Sequence, residues 1–121
     1  MTNLTPAQHD AFAQRLAIAR LQALDELRRN VQSAADEWVQ DMREVHSNAD
    51  SADAQRQGEL RCTEILIDRR RVDEVEHAQR RLEQGVYGLC LACGETIPRE
   101  RLFAQPAALR CTACQAEFEQ R

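Results

Sequence analysis

Apolar residues recur along the first third of the chain at Phe12, Leu16, Ala23, Leu24, Leu27, Val31, Ala34, Trp38, Met42 and Val45. From Leu24 onward the intervals mostly alternate between three and four, the period that turns one stripe of a helix toward a partner helix. The spacing predicts a long first helix with Trp38 and Met42 in its buried seam rather than in a ligand pocket. Its start is written in Thr5-Pro6-Ala7-Gln8: Thr5 caps exposed N–H groups, Pro6 suits the first helical position, and Gln8 completes a capping box. The pattern stops at His46-Ser47-Asn48-Ala49-Asp50-Ser51-Ala52-Asp53-Ala54, a small and polar run in which Asp50, Ser51 and Asp53 each suit the cap of a new helix. That second helix is predicted to run to about Gln84, with Gly85 ending it in the left-handed conformation. Its seam reads Cys62, Ile65, Arg69, Val72, Val75, Gln79 and Leu82, flanked by Leu60, Leu66 and Ala78. At a seam position Cys62 is a small buried hydrophobe.

Two long helices joined by a short connection fold back on each other, so residues 1–85 are expected to form an antiparallel helical hairpin, a coiled coil with its tip at about 47–54. An intermolecular coiled coil is the alternative. At about 1.5 Å per residue, arms of roughly 30 residues reach about 45 Å. Such a rod forms no pocket, and its use is reach. The tip carries Asp50 and Asp53, with Glu44 shortly before and Glu59 shortly after. They serve either as caps and solubilising charges or as carboxylates brought to a cation-rich or metal-containing site in another macromolecule.

The C-terminal stretch carries different chemistry. Cys90-Leu91-Ala92-Cys93 is followed, seventeen residues later, by Cys111-Thr112-Ala113-Cys114. Two Cys-x2-Cys pairs supply the four thiolates of a tetrahedral Zn²⁺, each pair offering two sulfurs from one tight turn. Gly94 suits such a turn because glycine enters positive φ without steric cost. Residues 86–121 are therefore expected to form a small four-cysteine zinc finger ending in a short helix. Beyond Tyr87, Leu89, Ile97, Leu102, Phe103 and Leu109 it has little to bury, and a domain below roughly 40 residues usually needs a metal or disulfides. A pair of disulfides would strand Cys62, and no secretory signal is visible. Four cysteines close the tetrahedron, which leaves no open position for catalysis.

Composition narrows the class. Aromatic residues make up only 4% of the chain and there are four glycines, while Ala, Leu, Glu, Gln and Arg are abundant, which favours long helices. The net charge of −4 argues against DNA as the main partner. Arg69-Arg70-Arg71, Arg80-Arg81, and Arg99 with Arg101 near the cysteine module either form a partly basic base or lie solvated along coiled-coil flanks, where such charges commonly alternate. His9, His46 and His77 stand apart from one another and from the cysteines. No apolar run reaches the roughly 20 residues of a membrane span, so the cytoplasm is the expected compartment. No catalytic triad or phosphate loop is visible, and an enzyme is not expected. Two further classes stay open, a zinc-finger nucleic-acid binder and a thiol-based redox sensor that releases zinc on oxidation.

The run Tyr87-Gly88-Leu89-Cys90-Leu91-Ala92-Cys93-Gly94-Glu95-Thr96-Ile97-Pro98, followed by Arg101-Leu102, Pro106 and Leu109-Arg110-Cys111-Thr112-Ala113-Cys114, resembles the DksA/TraR family of bacterial transcription regulators. The match is concentrated in Leu82–Gln115, and the hairpin before it fits the same architecture. The resemblance implies a protein that binds RNA polymerase, inserts the hairpin into the secondary channel so that acidic tip residues approach the catalytic centre, and rests its zinc module on the rim. The family's tip pattern is Asp-x-x-Asp-x-Ala. One alignment sets Asp50 and Asp53 on its acids with Gln55 at the alanine; an ungapped one sets Asp50 on the second acid and Ala52 on the alanine, with Ser47 at the first acid. Some members respond to guanosine tetraphosphate through basic residues on the hairpin and one directly after the fourth cysteine. That position is Gln115 here, so strong alarmone dependence is not expected.

Overall fold

The computed structural model describes residues 4–43 and 48–121, and for residues 48–51 and 54 the backbone alone. Four helices follow one another: α1 Pro6–Arg43, α2 Asn48–Glu83, α3 Arg99–Ala104 and α4 Thr112–Glu119. Among the described residues there is no strand, only an isolated antiparallel bridge between Leu89 and Thr96.

The ends of the long helices follow from local chemistry. At the start of α1 the Gln8 N–H donates to Thr5 Oγ1 at 3.1 Å, and the Thr5 N–H donates to Gln8 Oε1 at 3.0 Å. This is the reciprocal capping box that the sequence implies. At the end of α2, Gly85 takes φ 78°, its N–H reaches the Leu82 carbonyl at 3.3 Å, and the Val86 N–H reaches the Arg81 carbonyl at 3.0 Å. That pair of bonds is a Schellman closure, which only a residue at ease with positive φ permits cheaply. The start of α2 departs from expectation. The polar run foreseen as a turn is helical from Asn48 on, because its three alanines favour helix and acids near an N-terminus meet the positive end of the helix dipole. Ser47 and the expected seam residue Val45 lie outside the described residues.

Packing divides the chain into two compact units, Met1–Leu21 with Asp73–Arg121, and Gln22–Val72. In the first unit the core joins Phe12 and Leu16 of α1, Val75, Ala78 and Leu82 of α2, and Tyr87, Cys90, Ile97, Leu102 and Leu109. Phe12 packs its ring against Tyr87 at 5.1 Å and Phe103 at 5.3 Å between centroids. The cysteine module thus borrows its core from the helices, since it has too few apolar side chains of its own. The two helices run antiparallel here, with Arg20 paired to Glu76 at 3.2 Å.

In the second unit the antiparallel pairing continues through Glu26–Arg71 at 2.9 Å, Asn30–Asp68 and Glu37–Arg61 at 2.6 Å. The inner face is polar. Asp68 is buried among these groups, Ala23 and Val72 are buried beside it, and Arg61 also donates to Glu64 at 2.9 Å.

Each predicted seam is met in part: Phe12, Leu16 and Ala23 of α1 and Val72, Val75 and Leu82 of α2 are buried, Leu24, Leu27, Ala34, Ile65 and Gln79 are half-buried, and the remaining described members face outward. On α1 the positions of the second unit that turn inward are Ala23, Leu24, Leu27, Asn30 and Ala34, while Val31 and Trp38 face outward. Trp38 and Met42, expected in the seam, are 64% and 67% exposed, and Val31 is 48% exposed. On α2, Asp68 is buried where Arg69 was expected, Arg69 is exposed, and Cys62, expected as a buried hydrophobe, is exposed too. Within the second unit the physical reason is polar pairing: Asn30 donates to Asp68 and Arg61 pairs with Glu37, which turns these groups toward the facing helix.

Candidate functional site

The two cysteine turns are built by backbone bonds. After α2 ends, Gly88 takes φ 89° and its carbonyl accepts from the Ile97 N–H at 2.7 Å. The Cys90 N–H donates to the Glu95 carbonyl at 2.7 Å, and the Gly94 N–H, with Gly94 at φ 77°, donates to the Cys90 carbonyl at 3.0 Å. The second turn opens α4: Cys111 is its N-cap and Cys114 lies in its first turn. The Leu91 N–H donates to the Leu109 carbonyl at 2.7 Å and ties one turn to the other.

The result is that the sulfurs of Cys90, Cys93, Cys111 and Cys114 all lie within 4.8 Å of one another, with Cys93 and Cys111 at 4.0 Å. A Zn–S bond of about 2.3 Å places tetrahedral sulfurs about 3.8 Å apart, so a slight contraction closes this cluster on one ion. Electrostatics agree. Burial pushes the Cys90 thiol up, yet the N–H groups of Cys111, Cys93 and Ala92 aimed at its sulfur prevail and bring it down to about 6. Cys114 moves the other way, to about 12, crowded first by the Cys111 and Cys90 thiols. Four thiolates at this spacing repel, and a divalent cation is what lets them ionise together. Donor type, number and spacing fit one structural zinc ion.

Around the cluster, side chains brace the loops. Arg81 donates to the carbonyls of Val86 at 3.2 Å and Leu89 at 2.8 Å, and Arg101 Nε to that of Arg110 at 3.1 Å. The Tyr87 hydroxyl donates to the Pro106 carbonyl at 2.8 Å, and the Arg110 guanidinium lies 3.8 Å above the Phe118 ring of α4. Sequence reading placed Arg81 and Arg101 in a basic base or a solvated flank and missed these bracing roles. The discoverable signal was position, since both flank the cysteine turns, where unpaired carbonyls gather. Arg71 is likewise engaged, with Glu26.

The acidic candidates fall in the first turns of α2. Asp53 is exposed and pairs with Arg56 one turn on; Asp50 lies on the same helix, with its side chain outside the described residues. Both belong to the second unit and the cysteines to the first. No helix is long and apolar enough to cross a membrane among the described residues.

Comparison with known proteins gives a consistent picture. Residues 85–120 match the family model of the prokaryotic dksA/traR C4-type zinc finger. The RNA polymerase-binding transcription factor DksA of Caulobacter vibrioides is 32% identical over 117 residues, covering 94% of this chain and 78% of that protein. An uncharacterized protein of Aquifex aeolicus is 37% identical over 68 residues, covering 51% of this chain; this chain spans only 47% of its length. Among solved structures, transcription factor DksA2 from Pseudomonas aeruginosa superposes with a TM-score of 0.75 at 25% identity, over 96% of this chain and 86% of that one.

Proposed function

The chain belongs to the DksA/TraR family, and from that premise we propose that it is a non-enzymatic transcription regulator that binds RNA polymerase. The observation that carries this is the length of the match with an RNA polymerase-binding factor: it covers 94% of the chain, hairpin and cysteine module together. In this reading α1 and α2 enter the secondary channel of the polymerase, and Asp50 and Asp53 approach the catalytic centre. Cys90, Cys93, Cys111 and Cys114 hold one zinc ion as a structural cross-link, with no position left for substrate. The chain's own residues do the rest of the holding: Arg81, Arg101 and Tyr87 pin the loops, so that the module stays fixed to the ends of α1 and α2.

Charge supports a protein partner over DNA. The net charge is −4, and Arg71, Arg81 and Arg101 are engaged in internal bonds. With Gln115 after the fourth cysteine, strong dependence on guanosine tetraphosphate is not part of the proposal. The site of action is the bacterial cytoplasm.

The test is co-purification of the zinc-loaded protein with bacterial RNA polymerase, beside the variant Asp50→Asn/Asp53→Asn. Both are expected to bind, and only the parent to alter transcription. Absence of binding by either overturns the polymerase reading; equal transcriptional effects from both move the activity away from the tip.

A further inference from the structure

The two units are held together by different means. In the first, Phe12, Leu16, Val75, Leu82 and Tyr87 share one apolar core. In the second, the buried side chains among the described residues are Ala23, Val72 and Asp68, with Leu24, Leu27, Ala34 and Ile65 half-buried around them. A connected set of polar bonds crosses between its helices. Arg61 donates to Glu37 at 2.6 Å and to Asn30 Oδ1 at 3.3 Å, Asn30 donates to Asp68, and Arg71 donates to Glu26 at 2.9 Å. Further along, the helices share still less: from Ala35 to Arg43 on α1, and at the side chains described from Ala52 to Leu60 on α2, every residue is exposed.

An apolar core resists opening because parting it returns its surface to water. Polar pairs near the surface resist less, since water takes over both partners. Glu26 and Arg71, each with a side chain 52% exposed, form such a pair. We infer that the second unit opens on its own: α1 and α2 part from the Arg43 side inward as far as the Asn30–Asp68 pair, while the first unit stays closed around the cysteines. Arg61 is the tie that limits this motion, because it is half-buried and bonds both Asn30 and Glu37, two turns apart on α1. Once parted, a single helix has little stability of its own, so both arms lose amide protection together. The chain thereby has a segment, carrying Asp53, that changes shape without disturbing the cysteine site. This inference rests on packing and is independent of the polymerase reading.

The experiment is amide hydrogen exchange, read by mass spectrometry on the full-length, zinc-loaded protein alone, for the parent, Arg61→Met and Asn30→Leu/Asp68→Leu. In the parent, amides of residues 31–43 and 52–66 are expected to exchange about a hundredfold or more faster than those of residues 12–19 and 75–82. Methionine keeps the helix propensity of arginine, so Arg61→Met tests the tie and not α2 itself. It should speed exchange in the second unit by about tenfold and leave the first unit unchanged. Asn30→Leu/Asp68→Leu puts apolar contact in place of the polar pair and should slow exchange in the second unit alone. Equal protection in both units overturns the inference, as does an Arg61→Met effect that is absent or shared equally by both. Faster second-unit exchange in the double variant overturns polar pairing as the cause of the opening.

Discussion

His77, half-buried on α2, shows how a single position reports its surroundings. Burial, followed by the nearby charges of Arg80, Arg81 and Arg110, lowers its pKa from the ordinary value near 6.5. The unfolded chain therefore binds the proton more readily than the folded one. Stability from this group is fully present above pH 6.5 and is lost as the pH falls below it. The expected outcome is that His77→Gln flattens part of the acid-side fall in thermal stability between about pH 6.5 and 5; an unchanged slope would place that sensitivity elsewhere. The sequence displays the histidine and the neighbouring Arg80 and Arg81, but Arg110 is thirty-three positions away and only the fold brings it near. Gly85 and Gly94 behave oppositely. Their positive φ was legible in advance, because the requirement is met by the residue's own backbone.

At the scale of the element, the two long helices and their caps were readable, and their facing was readable only in part: Phe12, Leu16, Val72, Val75 and Leu82 are buried as expected, Trp38 and Cys62 are not. A heptad pattern one residue over is equally helical, and the more apolar line was the natural choice for the seam. The structure instead buries Asp68 with Asn30 and keeps Trp38 outside. Such a polar layer is weak in stability and strong in specificity. Asp68→Leu alone should lower the unfolding free energy by about 1–3 kcal/mol, since it leaves the Asn30 amide N–H without its acceptor. The double variant Asn30→Leu/Asp68→Leu should recover the parent value or exceed it. Urea denaturation of the three proteins decides this, and a double variant as weak as the single one would mean that the layer does more than hold register.

At the scale of the molecule, the cysteine module is not an independent bead. Its core side chains pack with Phe12, Leu16, Val75, Ala78 and Leu82, so loss of the metal should be felt in the helices. Cys111→Ser is expected to abolish stoichiometric zinc and to lower helicity at 37 °C, because it removes one of four ligands and with it the cross-link that orders the loops. Chelation of the parent should do the same. Full zinc content with an unchanged melting curve would contradict the assignment of Cys111. Metal analysis with circular dichroism reads both quantities in one preparation.

What the sequence determined by itself was whatever depends on neighbours along the chain: two long helices, their capping box and glycine stop, and the paired cysteine turns whose spacing names their metal. These are settled within a few residues, by backbone bonds and local propensity. Only the tertiary structure decided which side of α1 turns inward, which arginines brace carbonyls, and that α1 and α2 complete the core around the cysteines. Those outcomes depend on contacts between positions tens of residues apart, such as Phe12 with Tyr87 and Asn30 with Asp68.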